Sequence, residues 1–321
     1  MPTLSPSPPT ITNVNRQSQK GLAYALATYL TWGVAPAYYN LFREIPPIQV
    51  LAHRVFWSVI VLLPFMAYRQ LWGEVAAAVR DRKTFLTLLA STAMISINWF
   101  TFIYAVATKQ VVQTALGYFI NPLVVVLLGV FFLNERLRPW QILSLALATI
   151  AVAILTVAQG RLPTISLILA ISFAFYGFLR KTVNAGPMAG LFVETAVLFP
   201  VAVGLIAMRE FVRPPPGAPM PPHTWALLSL AGLITAFPLL WFANAAKRLR
   251  LATMGLMQYV TPMCSFLLAV LFLHEPFTSA QRVAFPMIWV ALVIYSVDSF
   301  RAFVSSTRNV LADEEPVLRD L

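Results

Sequence analysis

Ten apolar stretches of about 20 residues follow one another with short, mostly basic connections: 21–40, 48–68, 84–106, 112–133, 139–158, 163–180, 187–208, 223–246, 252–273 and 281–300. A helix rises about 1.5 Å per residue, so each stretch is long enough for the roughly 30 Å of hydrocarbon in a bilayer. Within lipid every backbone N–H and C=O must find its partner in a helix or a closed barrel, and no stretch alternates polar with apolar residues as a barrel strand does. The spacing therefore predicts an all-α integral membrane protein with ten transmembrane helices. Only 11% of the 321 residues are charged, too few to coat a soluble domain of this size.

The placement of those charges carries the topology. A net charge of +11 does not point to nucleic acid, because the cations sit in twos and threes between apolar runs rather than along one face. With the amino terminus inside, sixteen Lys and Arg fall on the inner side, six on the outer side, and Arg54 within a span. That excess predicts both termini in the cytoplasm. Residues 1–19, rich in Ser, Pro and Thr, read as a disordered cytoplasmic tail, and 303–321 as a second cytoplasmic tail. The one cysteine, Cys264, lies in an apolar run, and His53, His223 and His274 are scattered along the chain. Neither a metal set nor a catalytic constellation is expected, and no cofactor.

A shift of 140 positions lays Pro122 on Pro262, Leu133-Asn134-Glu135 on Leu273-His274-Glu275, and Gln141 on Gln281; a shift of 144 lays Trp32-Gly33 on Tyr176-Gly177. The chain thus divides into repeats over 20–160 and 161–302, each with five spans. An odd number of spans makes the second copy enter the membrane from the opposite side, the inverted repeat of many secondary transporters. A site is expected between the halves, near the bilayer midplane.

Polar and aromatic residues recur on single helical faces. The candidates for contact with a solute are Trp32 in the first span, Asn98 and Tyr104 in the third, Tyr118 and Asn121 in the fourth, Tyr176 and Arg180 in the sixth, Trp241 and Asn244 in the eighth, and Gln258 and Tyr259 in the ninth. Asn, Gln and Thr at such positions also join neighbouring helices by hydrogen bonds, so each has a structural alternative. For Arg180, at a span end, the plain alternative is topology and phospholipid contact. Pro122 and Pro262 are candidate bending points. Two intramembrane charges, Arg54 and Glu194, are related by the 140-residue shift. A charge at the bilayer centre costs about 2.5 to 3.5 kcal/mol, so neither should face lipid. Helical rise separates them by about 10 Å in depth, and direct pairing would need tilted helices. His53, next to Arg54, points about 100° away from it. Glu194 has two readings, proton uptake and release or contact with a cationic group of the solute, against a structural ion pair. Glu135 and Glu275 precede the fifth and tenth spans and read as caps of those helices.

These residues carry a family resemblance. Trp32-Gly33, His53-Arg54 through Trp57-Ser58, Asn98-Trp99, Leu116 through Leu123, Phe173 through Gly177, Glu194-Thr195, Pro238 through Leu240 and Arg248 through Leu251 resemble the RarD branch of the EamA-type drug/metabolite transporters. The similarity covers about residues 20–302. It implies ten helices in two EamA repeats, a location in a bacterial inner membrane, and carriage of a small polar metabolite or drug-like solute through a central cavity by alternating access. The expected partners are that solute, the phospholipid bilayer and, as coupling ion, protons. Gln49 and Gln113 stand where the branch usually has Glu, and Ala107 where it often has Asn. A lipid flippase and a membrane-embedded enzyme are the competing readings; the enzyme lacks a constellation to support it, and the flippase would need a lateral opening to lipid.

Overall fold

The computed structural model describes residues 11–42, 44–107, 111–158, 160, 164–209, 221–264, 267 and 278–319. In order they form α1 (Ile11–Tyr39), a short 3-10 turn (Asn40–Phe42), α2 (Pro47–Tyr68), α3 (Trp72–Arg80), α4 (Arg82–Ala107), α5 (Val111–Leu133), α6 (Pro139–Ala158), α7 (Thr164–Thr182), α8 (Pro187–Ala207), α9 (Pro222–Arg248), α10 (Leu251–Met257) and α11 (Ser279–Arg319). Eight helices among the described residues are long and apolar enough to cross a membrane, and they cover the second to eighth and the tenth expected spans. Large apolar side chains such as Phe131, Ile142, Val157 and Val293 stay exposed on the outside of the bundle, which suits lipid and not water. The chain is a multi-pass membrane protein.

Several elements differ from expectation, each for a local reason. The first helix begins at Ile11 rather than near Gly21, and Gln17 in its extension accepts a hydrogen bond from Arg248 at 3.0 Å. The segment between the second and third spans folds into the short α3, whose Val75 and Ala78 pack on Leu88, Val183 and Val193 while Trp72 stays exposed. Such an amphipathic turn suits an interfacial position. The ninth span, expected over 252–273, is helical over α10 and again over 260–264, with a break at Gln258-Tyr259; most of its remainder, with His274 and Glu275, lies outside the described residues. At the break the carbonyl of Gln258, for which Pro262 has no N–H, takes the Thr261 N–H at 3.1 Å in a tighter turn. Its repeat mate Pro122 leaves α5 uninterrupted.

All the most extensive helix pairings join one half of the chain to the other: α1 and α2 with α9, α2 with α8, α4 and α5 with α7, α5 with α10, and α6 with α11. The halves are therefore intertwined rather than set side by side. α2 and α8 run antiparallel, since Gln49 at the start of α2 donates to the Leu205 carbonyl near the end of α8 at 3.1 Å, while Glu74, beyond the end of α2, reaches Gly186 at the start of α8. α1 and α9 are likewise antiparallel, tied by Tyr38 to the Leu227 carbonyl at 2.7 Å at one end and by Arg248 to Gln17 at the other.

One end of the bundle gathers the basic connections. Lys181 donates to the carbonyls of Ala246 and Leu249, and Lys247 to those of Lys181 and Val183. These ammonium groups satisfy the orphan carbonyls at the C-terminal ends of α7 and α9. Glu135 does not cap the helix that follows it, as its position suggested. Asn134 ends α5 in the left-handed conformation, φ +51°, and the Glu135 N–H turns back to the Gly129 carbonyl at 3.0 Å. That turn aims the Glu135 carboxylate at α10, where it accepts the N–H groups of Leu251 at 2.7 Å and Ala252 at 2.9 Å.

Candidate functional site

Arg54 lies seven residues into α2 and Glu194 seven residues into α8. Because the two helices run in opposite directions, each is about 10 Å in from a different end of the bundle. They do not meet. Among the described residues, Arg54 has no carboxylate at ion-pair distance. Its Nε donates to Thr235 Oγ1 of α9 at 3.0 Å, and its guanidinium lies 5.0 Å from the Tyr39 ring centroid of α1 and 5.2 Å from that of Trp99 of α4. Tyr118 of α5 is within electrostatic reach of both Arg54 and Tyr39. Residues from four helices of both halves, α1, α4, α5 and α9, therefore stand around the one guanidinium that α2 supplies. Gly232 allows this closeness: a Cβ there would lie 2.5 Å from the backbone of Trp57, so α9 rides directly on α2 and brings Thr235 within reach of Arg54.

Glu194 pairs instead with Arg180, Nη1 to Oε1 at 3.6 Å. Ser91 of α4 donates to Glu194 Oε1 and Tyr176 of α7 to Oε2 at 3.5 Å. Arg180, read as a span-end cation toward phospholipid, is 0% exposed, and Glu194 is 3% exposed. The reason is tertiary. α8 folds back over the end of α7, Pro187 accepts from Arg180 Nη2 at 2.9 Å, and Gly190 leaves the volume that the guanidinium fills. The pair is incompletely satisfied, since Arg180 Nε and Nη1 have no hydrogen-bond partner among the described residues.

Tyr176, which donates to Glu194, belongs to a group of packed rings. Tyr176 stacks on Phe242 at 5.8 Å, and Trp32 meets Phe173 edge-on at 5.5 Å and Phe242 at 5.7 Å. Gly177 clears the way for the Phe242 ring, which comes within 3.1 Å of a Cβ placed there.

The other sequence-derived candidates divide. Tyr118 remains 40% exposed, and Tyr104 is also exposed. Asn98 is buried and donates to the Leu169 carbonyl at 2.9 Å and to Ser172 at 3.2 Å; Asn121 donates to the Ala170 carbonyl at 2.6 Å. Both join the first half to α7 in the way expected of interhelical polar residues. Asn244 is held by its own helix, donating to Leu240 and accepting from Arg248 at 2.7 Å. Trp241 lies 6.1 Å from Phe237. Gln258 is buried at the α10 break, and Tyr259 is enclosed in the cluster of Phe119, Val126, Ala284 and Ile288, away from Arg54. His53 faces Trp225 at 5.0 Å and not Arg54's surroundings. Gln49 bonds α8, and the side chains of Gln113 and Ala107 lie outside the described ones. Sequence reasoning missed Ser91 and Thr235, two polar groups whose role comes only from what stands across from them.

A multi-pass helical bundle with titratable and basic groups turned inward, away from lipid, fits a membrane transporter. The comparisons agree. The EamA-like transporter family matches residues 19–157 and again 164–297. A protein from Vibrio cholerae named "Uncharacterized transporter" is 40% identical over 291 residues, covering 89% of this chain and 95% of its own. Protein RarD of Salmonella typhimurium is 40% identical over 288 residues, 88% and 97% of the two chains. Pseudomonas aeruginosa has a "Chloramphenicol-sensitive protein RarD" that is 32% identical over 307 residues, 92% and 99%. A crystal structure at 17% identity shares the fold with a TM-score of 0.66, covering 89% of this chain and 98% of that one. The chain belongs to the EamA-like transporter family, in its RarD branch.

Proposed function

We propose that this transporter carries a small polar metabolite or drug-like solute by alternating access between two inverted five-helix halves, and that Glu194 couples the cycle to protons. The observation that carries the reading is the buried, incompletely satisfied Arg180–Glu194 pair. A fully structural buried pair gains only when every remaining donor is satisfied, because desolvating both ions costs several kcal/mol apiece. A pair left short of partners has little to lose when water or a proton reaches it, and its groups come from α4, α7 and α8, which belong to both halves.

The state described has its buried pair toward the end that gathers the basic connections, and Tyr118 keeps 40% of its surface exposed. Reprotonation of Glu194 would release Arg180 and Ser91 and let α8 part from α4 and α7. Both termini at the cytoplasmic face of a bacterial inner membrane is the matching topology, since cations there follow the inner-side bias.

Counterflow in proteoliposomes with a panel of labelled metabolites, run at several pH values, tests the reading. The unaltered chain is expected to exchange at least one solute and to accumulate it under a pH gradient. Glu194→Gln is expected to keep exchange and lose accumulation. A folded Glu194→Gln protein with unchanged pH-driven uptake removes Glu194 from coupling, and absence of any exchange removes the carrier reading itself.

A further inference from the structure

We infer that the guanidinium of Arg54 is a recognition site for the carboxylate of a monoanionic solute with a flat, apolar body. The inference deepens the carrier reading and rests on it for the word solute, though not for binding. Three observations carry it. First, Arg54 lies within the membrane-spanning region without a carboxylate partner among the described residues, while Glu194, the other charge of the repeat pair, is already matched by Arg180. The surroundings of Arg54 therefore hold a net positive charge that lipid cannot compensate.

Second, the contacts that hold Arg54 fix its orientation and leave its fork available. Nε is taken by Thr235 Oγ1, and the guanidinium lies beside the Tyr39 and Trp99 rings. Arginine has five N–H donors, and a planar fork matches the two oxygens of a carboxylate in parallel hydrogen bonds. One guanidinium suits one negative charge.

Third, the walls are aromatic. Tyr39 and Trp99 flank the cation and Tyr118 stands within its field. Trp32, Trp99 and Phe173 border the same apolar cluster, so aromatic and apolar side chains adjoin the charge. Flat apolar bodies bind such walls by offset or edge contact.

The test uses the full chain in detergent, followed by tryptophan fluorescence, with three probes of one shape and different charge: phenylacetate, phenylacetamide and phenethylamine. Phenylacetate is expected to quench saturably, and the amide and amine to bind about tenfold to a hundredfold more weakly, the worth of a lost charge-assisted hydrogen bond. Arg54→Gln should abolish the preference for the acid, and Arg54→Lys should weaken acid binding while keeping its sign. Equal binding of acid and amide to the unaltered chain overturns the inference without any variant. So does saturable acid binding that survives Arg54→Gln, or a failure of every carboxylate tried to bind. Counterflow separates the two levels: exchange of a neutral or cationic solute unaffected by Arg54→Gln keeps the carrier and removes the anion site, whereas carboxylate binding without exchange of any solute keeps the site and removes the carrier.

Discussion

Gly190 and Gly204 stand on the same helix, α8, in opposite surroundings. A Cβ at Gly190 would collide with the Arg180 guanidinium, whereas nothing lies within 4 Å of one at Gly204. Gly190→Ala is expected to destabilise by roughly 1 to 3 kcal/mol, the cost of overpacking, and to disturb pH-dependent transport by displacing Arg180. Gly204→Ala is expected to be neutral or to stabilise by up to about 1 kcal/mol, from helix propensity alone. Thermal unfolding of the two variants in the same detergent checks both signs. The pair also marks what the sequence could and could not convey. Arg54 and Glu194 were legible as charges inside apolar runs, because insertion cost makes such residues conspicuous. Arg180 was legible as a span-end cation or a solute contact but not as the buried partner of Glu194, since its burial depends on Gly190 and Glu194 across α8, and no periodicity within α7 records them.

Helix ends hold the next level of information. Glu135 sits at the end of α5 and satisfies the first N–H groups of α10, more than a hundred residues along the chain. Gly129 makes the approach possible, since a Cβ there would come within 2.8 Å of the Glu135 carboxylate. Glu135→Gln keeps an acceptor but loses the charge facing the helix dipole and the nearby Arg250, which is 3.8 Å away and largely exposed. A loss of about 0.5 to 2 kcal/mol is expected, the usual worth of a cap, read as a lowered unfolding midpoint. The spans themselves were readable because about 20 apolar residues have one structural outcome in lipid. The ends were not. A carboxylate before a helix suggests a cap on that helix, and only the left-handed turn at Asn134 redirects it. Likewise Pro122 and Pro262 look equivalent in the repeat, yet only the helix containing Pro262 breaks, so proline alone did not determine the outcome.

The intertwining of the halves gives the molecule its logic. Each extensive helix contact crosses from one half to the other, so a change of pairing in one place must move elements of both. The Arg54 surroundings and the Arg180–Glu194 pair lie near opposite ends of the antiparallel α2 and α8, and Tyr176 links the pair to the Trp32, Phe173 and Phe242 rings. The proposed cycle requires that an aqueous path reach Arg54's level from one side while the ion pair seals the other. Site-directed thiol labelling tests it most directly: Tyr118→Cys and Ser91→Cys, each in a Cys264→Ser background, exposed in oriented vesicles to a membrane-impermeant reagent from either side. Tyr118→Cys is expected to react from one side only and Ser91→Cys to be protected from that same side. Reaction of Ser91→Cys from the side that labels Tyr118→Cys, or of Tyr118→Cys from neither side, would contradict the sealed, one-sided path.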